Sequence, residues 1–109
     1  MNSLKGYQKR YLRGRAHALK PVVLVGQKEL TDRIYKAVDE ALKQHELIKI
    51  KLIDATDRNR KKEIIETITS QTESEFVGMT GHIAIIYRAH ADPEKRKIMV
   101  PEKDASSPG

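Results

Sequence analysis

Cysteine is absent from the 109 residues, so neither a disulfide nor a thiolate metal site can hold this fold together. Tryptophan is missing too, and the aromatic complement is one phenylalanine and four tyrosines, which leaves little for a surface on which successive nucleobases could stack. No apolar run approaches the ~18 residues that would span a bilayer. The opening MNSLKGYQKRYLRGR lacks the apolar stretch of a secretory signal, and the chain is expected in the cytoplasm. Catalytic templates are also wanting: there is no phosphate-binding Gly-x-x-x-x-Gly-Lys-Ser/Thr loop, no His-Glu-x-x-His helix and no Gly-x-Ser-x-Gly elbow. His17, His45, His82 and His90 are scattered without ligand spacing and read as helix-end, core-edge or surface residues. A non-enzymatic protein is expected, with no cofactor, no metal, no small-molecule substrate and no membrane partner.

One further absence points somewhere. Residues 1–28 contain no acid, yet they hold seven basic side chains: Lys5, Lys9, Arg10, Arg13, Arg15, Lys20 and Lys28. The chain has 21 basic and 15 acidic residues, so the rest of it carries fourteen cations against fifteen anions, and the net charge of +6 belongs to the first quarter. A positive field concentrated in one region attracts polyanions before any specific contact forms. Basic N-terminal segments can also serve only to solubilise, but the complete lack of acids favours a nucleic-acid footprint.

What is present has the length of one domain. Residues 4–18 read as a helix, with Leu4, Tyr7, Tyr11 and Leu12 forming an apolar stripe. Lys5, Lys9 and Arg13 follow at i, i+4 and i+8 on another side, near Arg10. Tyr7 and Tyr11 read as core residues. Gly14 weakens this helix, and Pro21 forces an extended approach to Val22-Val23-Leu24-Val25, a continuous apolar run expected as a buried strand. A second helix is expected from an N-cap at Thr31, with a Leu30–Tyr35 staple and a core face of Ile34, Val38, Ala41, Leu42 and His45.

Residues 48–52 alternate as Ile-Lys-Ile-Lys-Leu, a strand with lysines on one face. A loop over 54–57 is expected, offering Thr56 or Asp57 as cap to a helix over 58–72 with Ile64, Ile65 and Ile68 inward. Arg58, Arg60, Lys61 and Lys62 in its first turns oppose the helix dipole; they fit a solvated face or an RNA-facing one equally well. Strands at 75–77 and 83–87 are too closely spaced for a crossover and predict an antiparallel hairpin. Lys97 to Val100 could add a short edge segment. The order αβαβαββ predicts an α+β fold, a mixed four-stranded sheet with helices packed on it.

Between the last two strands lies Gly78-Met79-Thr80-Gly81, followed by His82. A glycine pair at this spacing can bring a phosphodiester chain against main-chain N–H groups, although on the tetrapeptide alone, a very weak pattern, a tight hairpin is the better reading. Basic groups and small loops bind phosphates without reading bases, so the sequence favours a structured RNA recognised through backbone and shape.

Tyr11-Leu12-Arg13-Gly14, then Ala16-His17-Ala18-Leu19-Lys20-Pro21-Val22-Val23-Leu24-Val25-Gly26, resembles the opening of the CRM domain, the YhbY-like family of RNA-binding proteins. His45-Glu46-Leu47-Ile48-Lys49-Ile50-Lys51 is similar to its central block, Gly78 to Gly81 to its GxxG loop, and Ile85-Ile86-Tyr87-Arg88 to the strand after that loop. The resemblance covers residues 4–100 in family order. It implies a single domain over 1–100; the polar composition of 101–109 predicts a disordered tail after it. It also implies a fold related to the C-terminal domain of translation initiation factor three, and RNA binding without catalysis. Stand-alone members are linked to precursors of the large (50S) ribosomal subunit, which implies a ribosome assembly factor whose partners are ribosomal RNA and pre-50S particles. The RNA-binding residues so implied are Gly78, Met79, Thr80, Gly81 and His82, flanked by Lys5, Lys9, Arg10, Arg13 and Lys20. The chain departs from the family pattern at Glu29, where many members have glycine, so a different turn is expected there. It departs again inside the loop, where Met79-Thr80 supplies no cation. An adaptor whose basic first helix meets an acidic protein is the alternative reading.

Overall fold

The computed structural model describes residues 4–26, 30–53 and 57–102. The expected turn at Glu29, the cation Lys28 and the alternative cap Thr56 lie outside them, as do residues 103–109 of the expected tail. The elements are α1 (Gly6–Ala16), β1 (Pro21–Val25), α2 (Asp32–His45), β2 (Leu47–Leu52), α3 (Arg58–Thr72), β3 (Glu75–Thr80) and β4 (Ile83–Tyr87), followed by a short 3-10 turn at Pro93–Lys95. The αβαβαββ order and the mixed four-stranded sheet are as the sequence predicts.

The sheet runs β1-β2-β4-β3. β1 and β2 are parallel, as a strand–helix–strand unit requires, and β4 pairs antiparallel with both β2 and β3. Side-chain alternation then sorts residues to two faces. One face carries Val23, Val25, Ile48, Ile50, Leu52, Ala84 and Ile86 against Val38 and Leu42 of α2 and Ile64, Ile65 and Ile68 of α3. The other carries Leu47, Val77, Ile85 and Tyr87 against Leu12 and Ala16 of α1. Burial holds the Tyr87 phenol above its ordinary pKa, and the nearby charge of Glu46 adds to the effect.

Helix ends follow local chemistry. The Thr31 hydroxyl accepts from the Ile34 N–H, and the Asp57 carboxylate from Asn59 N–H at 3.2 Å. Both later helices end on glutamates with positive φ, Glu46 at 62° and Glu73 at 54°, where glycine is the usual residue. Glu46 has a reason to be there. It is 1% exposed, and its Oε2 accepts from His90 N–H at 2.7 Å while Oε1 accepts from Lys97 N–H and from Ile98 N–H at 3.0 Å. One carboxylate thereby fastens the segment after β4, which carries Ile98 and Val100 against the α1 side of the core. Arg88 makes a second clamp: Nη1 donates to Asp39 Oδ1 and to the Thr72 carbonyl, each at 2.8 Å, joining α2, α3 and the end of β4. That hydrogen bond holds the Asp39 carboxyl below its ordinary pKa, against partial desolvation that raises it.

Four expectations need correction. β1 is an edge strand with one open face, and Val22 and Leu24 are 51% and 56% exposed; an unbroken apolar run does not reveal whether both faces are covered. His45 is exposed although it shares the helical face of Val38 and Leu42, because it is the last residue of α2 and borders an open depression beside Leu19 and Val22. Residues 97–100 are not a strand, since the Glu46 carboxylate takes the N–H groups a ladder would use. Tyr11 packs on the core, but Tyr7 is only half-buried and its hydroxyl donates to the Glu102 carbonyl. Beside it, Gln8 donates to Pro101 O at 3.1 Å, so both described residues of the polar segment lie against α1.

Candidate nucleic-acid interface

α1 covers only part of its sheet face. It contacts β3 and the start of β2, and leaves open the row at the far ends of the strands. Register defines that row: Leu24 lies beside Lys51, Lys51 beside Ile83, and Ile83 beside Thr80. Leu24, Lys51 and Thr80 are exposed and Ile83 is half-buried. The row ends at the β3–β4 hairpin.

The Gly-x-x-Gly segment is not a loop, which corrects the expectation. Gly78, Met79 and Thr80 belong to β3, and the turn is Gly81-His82 alone. Gly81 has φ +59° while His82 does not have positive φ, the pattern of a type II′ hairpin turn, which places glycine first. The physical reason is length: a two-residue turn closes this hairpin with no strain, so the preceding residues continue the ladder. Alternation then sends Met79 to the opposite face, where it packs against the α2–α3 core. The tip is tied down as well. Leu52 N–H donates to His82 O at 2.7 Å, and Lys61 Nζ donates to Gly81 O at 3.1 Å.

Gly78 has a different use from the one expected. The Arg13 side chain lies across it; a Cβ at this position would sit 2.9 Å from Arg13 Cδ. Arg13 Nη1 also reaches the Val77 carbonyl at 3.4 Å. Glycine therefore leaves the room in which an α1 cation lies across β3. A β-bulge between Phe76 and Gly78 adjusts the strand at this point.

Lys9 and Arg13 stand one turn apart on α1, and Arg13 lies against β3. Lys5 sits at the N-cap, its backbone N–H donating to Gln8 Oε1 at 2.8 Å, and its side chain and that of Arg10 are exposed. Lys20 stands apart. It lies beyond the other end of α1, lining a depression with Arg15, Leu19, Val22 and His45. Lys49 is bound to that end as well: Nζ donates to Leu19 O at 2.9 Å, a cation on the carbonyls that follow the helix.

The structure thus brings Arg13, Gly78, Thr80, Gly81 and His82 to one side and leaves Met79 and Lys20 outside the group. Two cations from outside the set that the resemblance implies stand beside it. Lys51 follows from the alternation of β2. Lys61 comes from α3, whose first turn has no acid and whose N-terminal dipole adds positive potential beside the hairpin. Nothing in the sequence pairs residue 61 with residue 81.

Comparison with known proteins agrees with this architecture. The CRS1 / YhbY (CRM) domain family matches residues 4–88. An RNA-binding protein of Haemophilus influenzae is 41% identical over 94% of this chain and all of its own length. The probable RNA-binding protein YqeI of Bacillus subtilis is 32% identical over 90% of this chain and 99% of its own. The solution structure of a Staphylococcus aureus protein, itself an RNA-binding candidate, superposes with a TM-score of 0.76 at 35% identity, covering 90% of this chain and 99% of that one. By sequence match over most of its length and by fold, this chain belongs to the CRS1 / YhbY (CRM) domain family.

Proposed function

We propose that this chain binds structured RNA, without catalysis, through the open sheet row and the cations beside it. The observation that carries this reading is Arg13 lying over Gly78, which joins the acid-free helix to the hairpin on one side of the molecule. Arg13, Lys51 and Lys61 then flank a surface where a ribose-phosphate strand can lie, and phosphate contacts of this kind set orientation without reading sequence. The names of the relatives support RNA as the partner. The finer reading is that the RNA is ribosomal, within precursors of the large subunit, and that the protein acts in the cytoplasm as an assembly factor; it is supported by the family resemblance.

Gradient sedimentation of cell extract is the test. Co-migration with large-subunit precursors, lost on nuclease treatment, is the expected result. Recovery only among free proteins at low salt would sink the ribosomal reading. Partners that survive complete RNA removal would favour the adaptor.

The Arg13–Gly78 contact makes a separate prediction. A Gly78→Ala methyl displaces a flexible arginine stem, so stability should change little. RNA affinity should fall about fivefold, the scale of one charge-assisted contact. In an Arg13→Ala background the same change should have no further effect, and a double-mutant cycle by filter binding and thermal melting measures this.

A further inference from the structure

Around the β3 edge from Arg13, on the opposite sheet face, α3 and β3 enclose a cleft of about 350 Å³. Phe76, Met79 and Ile65 give it apolar walls; Arg58, Lys62 and Glu66 line it as well. The volume is at the lower end of the ~300–1,000 Å³ range of small-molecule sites, room for one planar ring system. Phe76 is the sole phenylalanine of the chain, and it is 39% exposed on an edge strand. The cleft continues into a second depression lined by Arg58, Lys61, Met79 and Gly81, so Arg58 and Met79 connect it to the hairpin tip.

We propose that this cleft receives one unstacked nucleobase of the bound RNA, with the adjoining phosphates on Arg58 and Lys62. An aromatic edge and a thioether suit the face of a base, and paired cations suit the backbone from which it is extruded. Glu66 can accept from the amine of adenine or from the N3–H of uracil, so the preference for adenine over uracil comes from the larger face that a purine stacks on Phe76. A strand following the open row would round the Gly81 tip past Lys61 and arrive at the cleft. Strand alternation at Met79, which removes it from the Arg13 face, is what furnishes the wall. The proposal rests on the RNA-binding reading and adds to it a position where the sequence of the RNA matters.

The test compares a blunt RNA hairpin with the same hairpin carrying a short unpaired tail of adenosines or of uridines. The parent protein is expected to bind the adenosine-tailed hairpin about tenfold more tightly than the blunt one, the scale of one aromatic–base stack. Phe76→Leu keeps an apolar side chain at the site and should abolish that preference while leaving blunt-hairpin affinity unchanged; Phe76→Tyr should retain it. Equal binding of tailed and blunt hairpins by the parent overturns the slot and leaves the RNA-binding reading standing. So does a tail preference that survives Phe76→Leu. Failure to bind any of these RNAs overturns both.

Discussion

Reversing the charge at Lys5, Lys9 and Arg13 together is expected to weaken binding to every structured RNA by about 100-fold at ~100 mM salt. Each phosphate contact releases condensed counterions, contributing roughly 0.7–0.9 to the slope of log affinity against log salt. The triple variant should therefore also flatten that slope by about two units. Sequence preference should be unaffected, because phosphates carry no sequence information. The matched control is reversal at Arg33, Lys36 and Lys95, which are exposed and lie on α2 and in the segment after β4. It changes net charge equally and should cost far less affinity. If the two triple variants bind alike across several salt concentrations, the field of the whole molecule attracts RNA and the α1 cations are not the footprint. Melting curves should show both variants folded, since α1 is held by Leu12 and Ala16, which are fully buried.

The largest expected effect on stability belongs to Glu46. Glu46→Ala removes the acceptor for three backbone N–H groups, those of His90, Lys97 and Ile98, in a region where Ile98 is itself buried. Each N–H left unsatisfied away from water costs about 1–3 kcal/mol. A total loss of about 3–5 kcal/mol is expected after local relaxation, a large share of the ~5–15 kcal/mol that holds a typical domain folded. Glu46→Gln is the informative companion. Its single carbonyl oxygen can still serve Lys97 and Ile98 but offers a donor where His90 needs an acceptor, so about half the loss is expected. Denaturant midpoints with an unchanged slope would establish this order, and equal stability of all three proteins would refute it. RNA affinity should fall secondarily in Glu46→Ala, because the segment released is the one that packs Ile98 and Val100 beside α1.

Elements were legible wherever one physical rule acted alone. The period of Ile64, Ile65 and Ile68, the caps at Thr31 and Asp57, and the short spacing between 77 and 83 that demands a hairpin each specify a local structure that packing left intact. Errors arose where two rules competed. Val22 to Val25 is apolar enough for a central strand, yet strand order puts it at an edge. Gly78 to Gly81 contains the glycines of a loop, yet a two-residue turn sufficed.

Amino-acid order by itself determined the seven elements, their succession, the acid-free basic opening and the family. All of these are local or cumulative along the chain, which is why they could be read without coordinates. Tertiary structure alone decided that Arg13 crosses Gly78, that Lys61 reaches Gly81, and that Glu46 gathers N–H groups from residues 90 to 98. Those pairings join residues 20 to 65 positions apart, and they depend on which sheet face each strand presents and on where α1 stops covering it. Hydrophobic period carries no record of either; the surface on which RNA is proposed to lie exists only once the sheet order β1-β2-β4-β3 has closed.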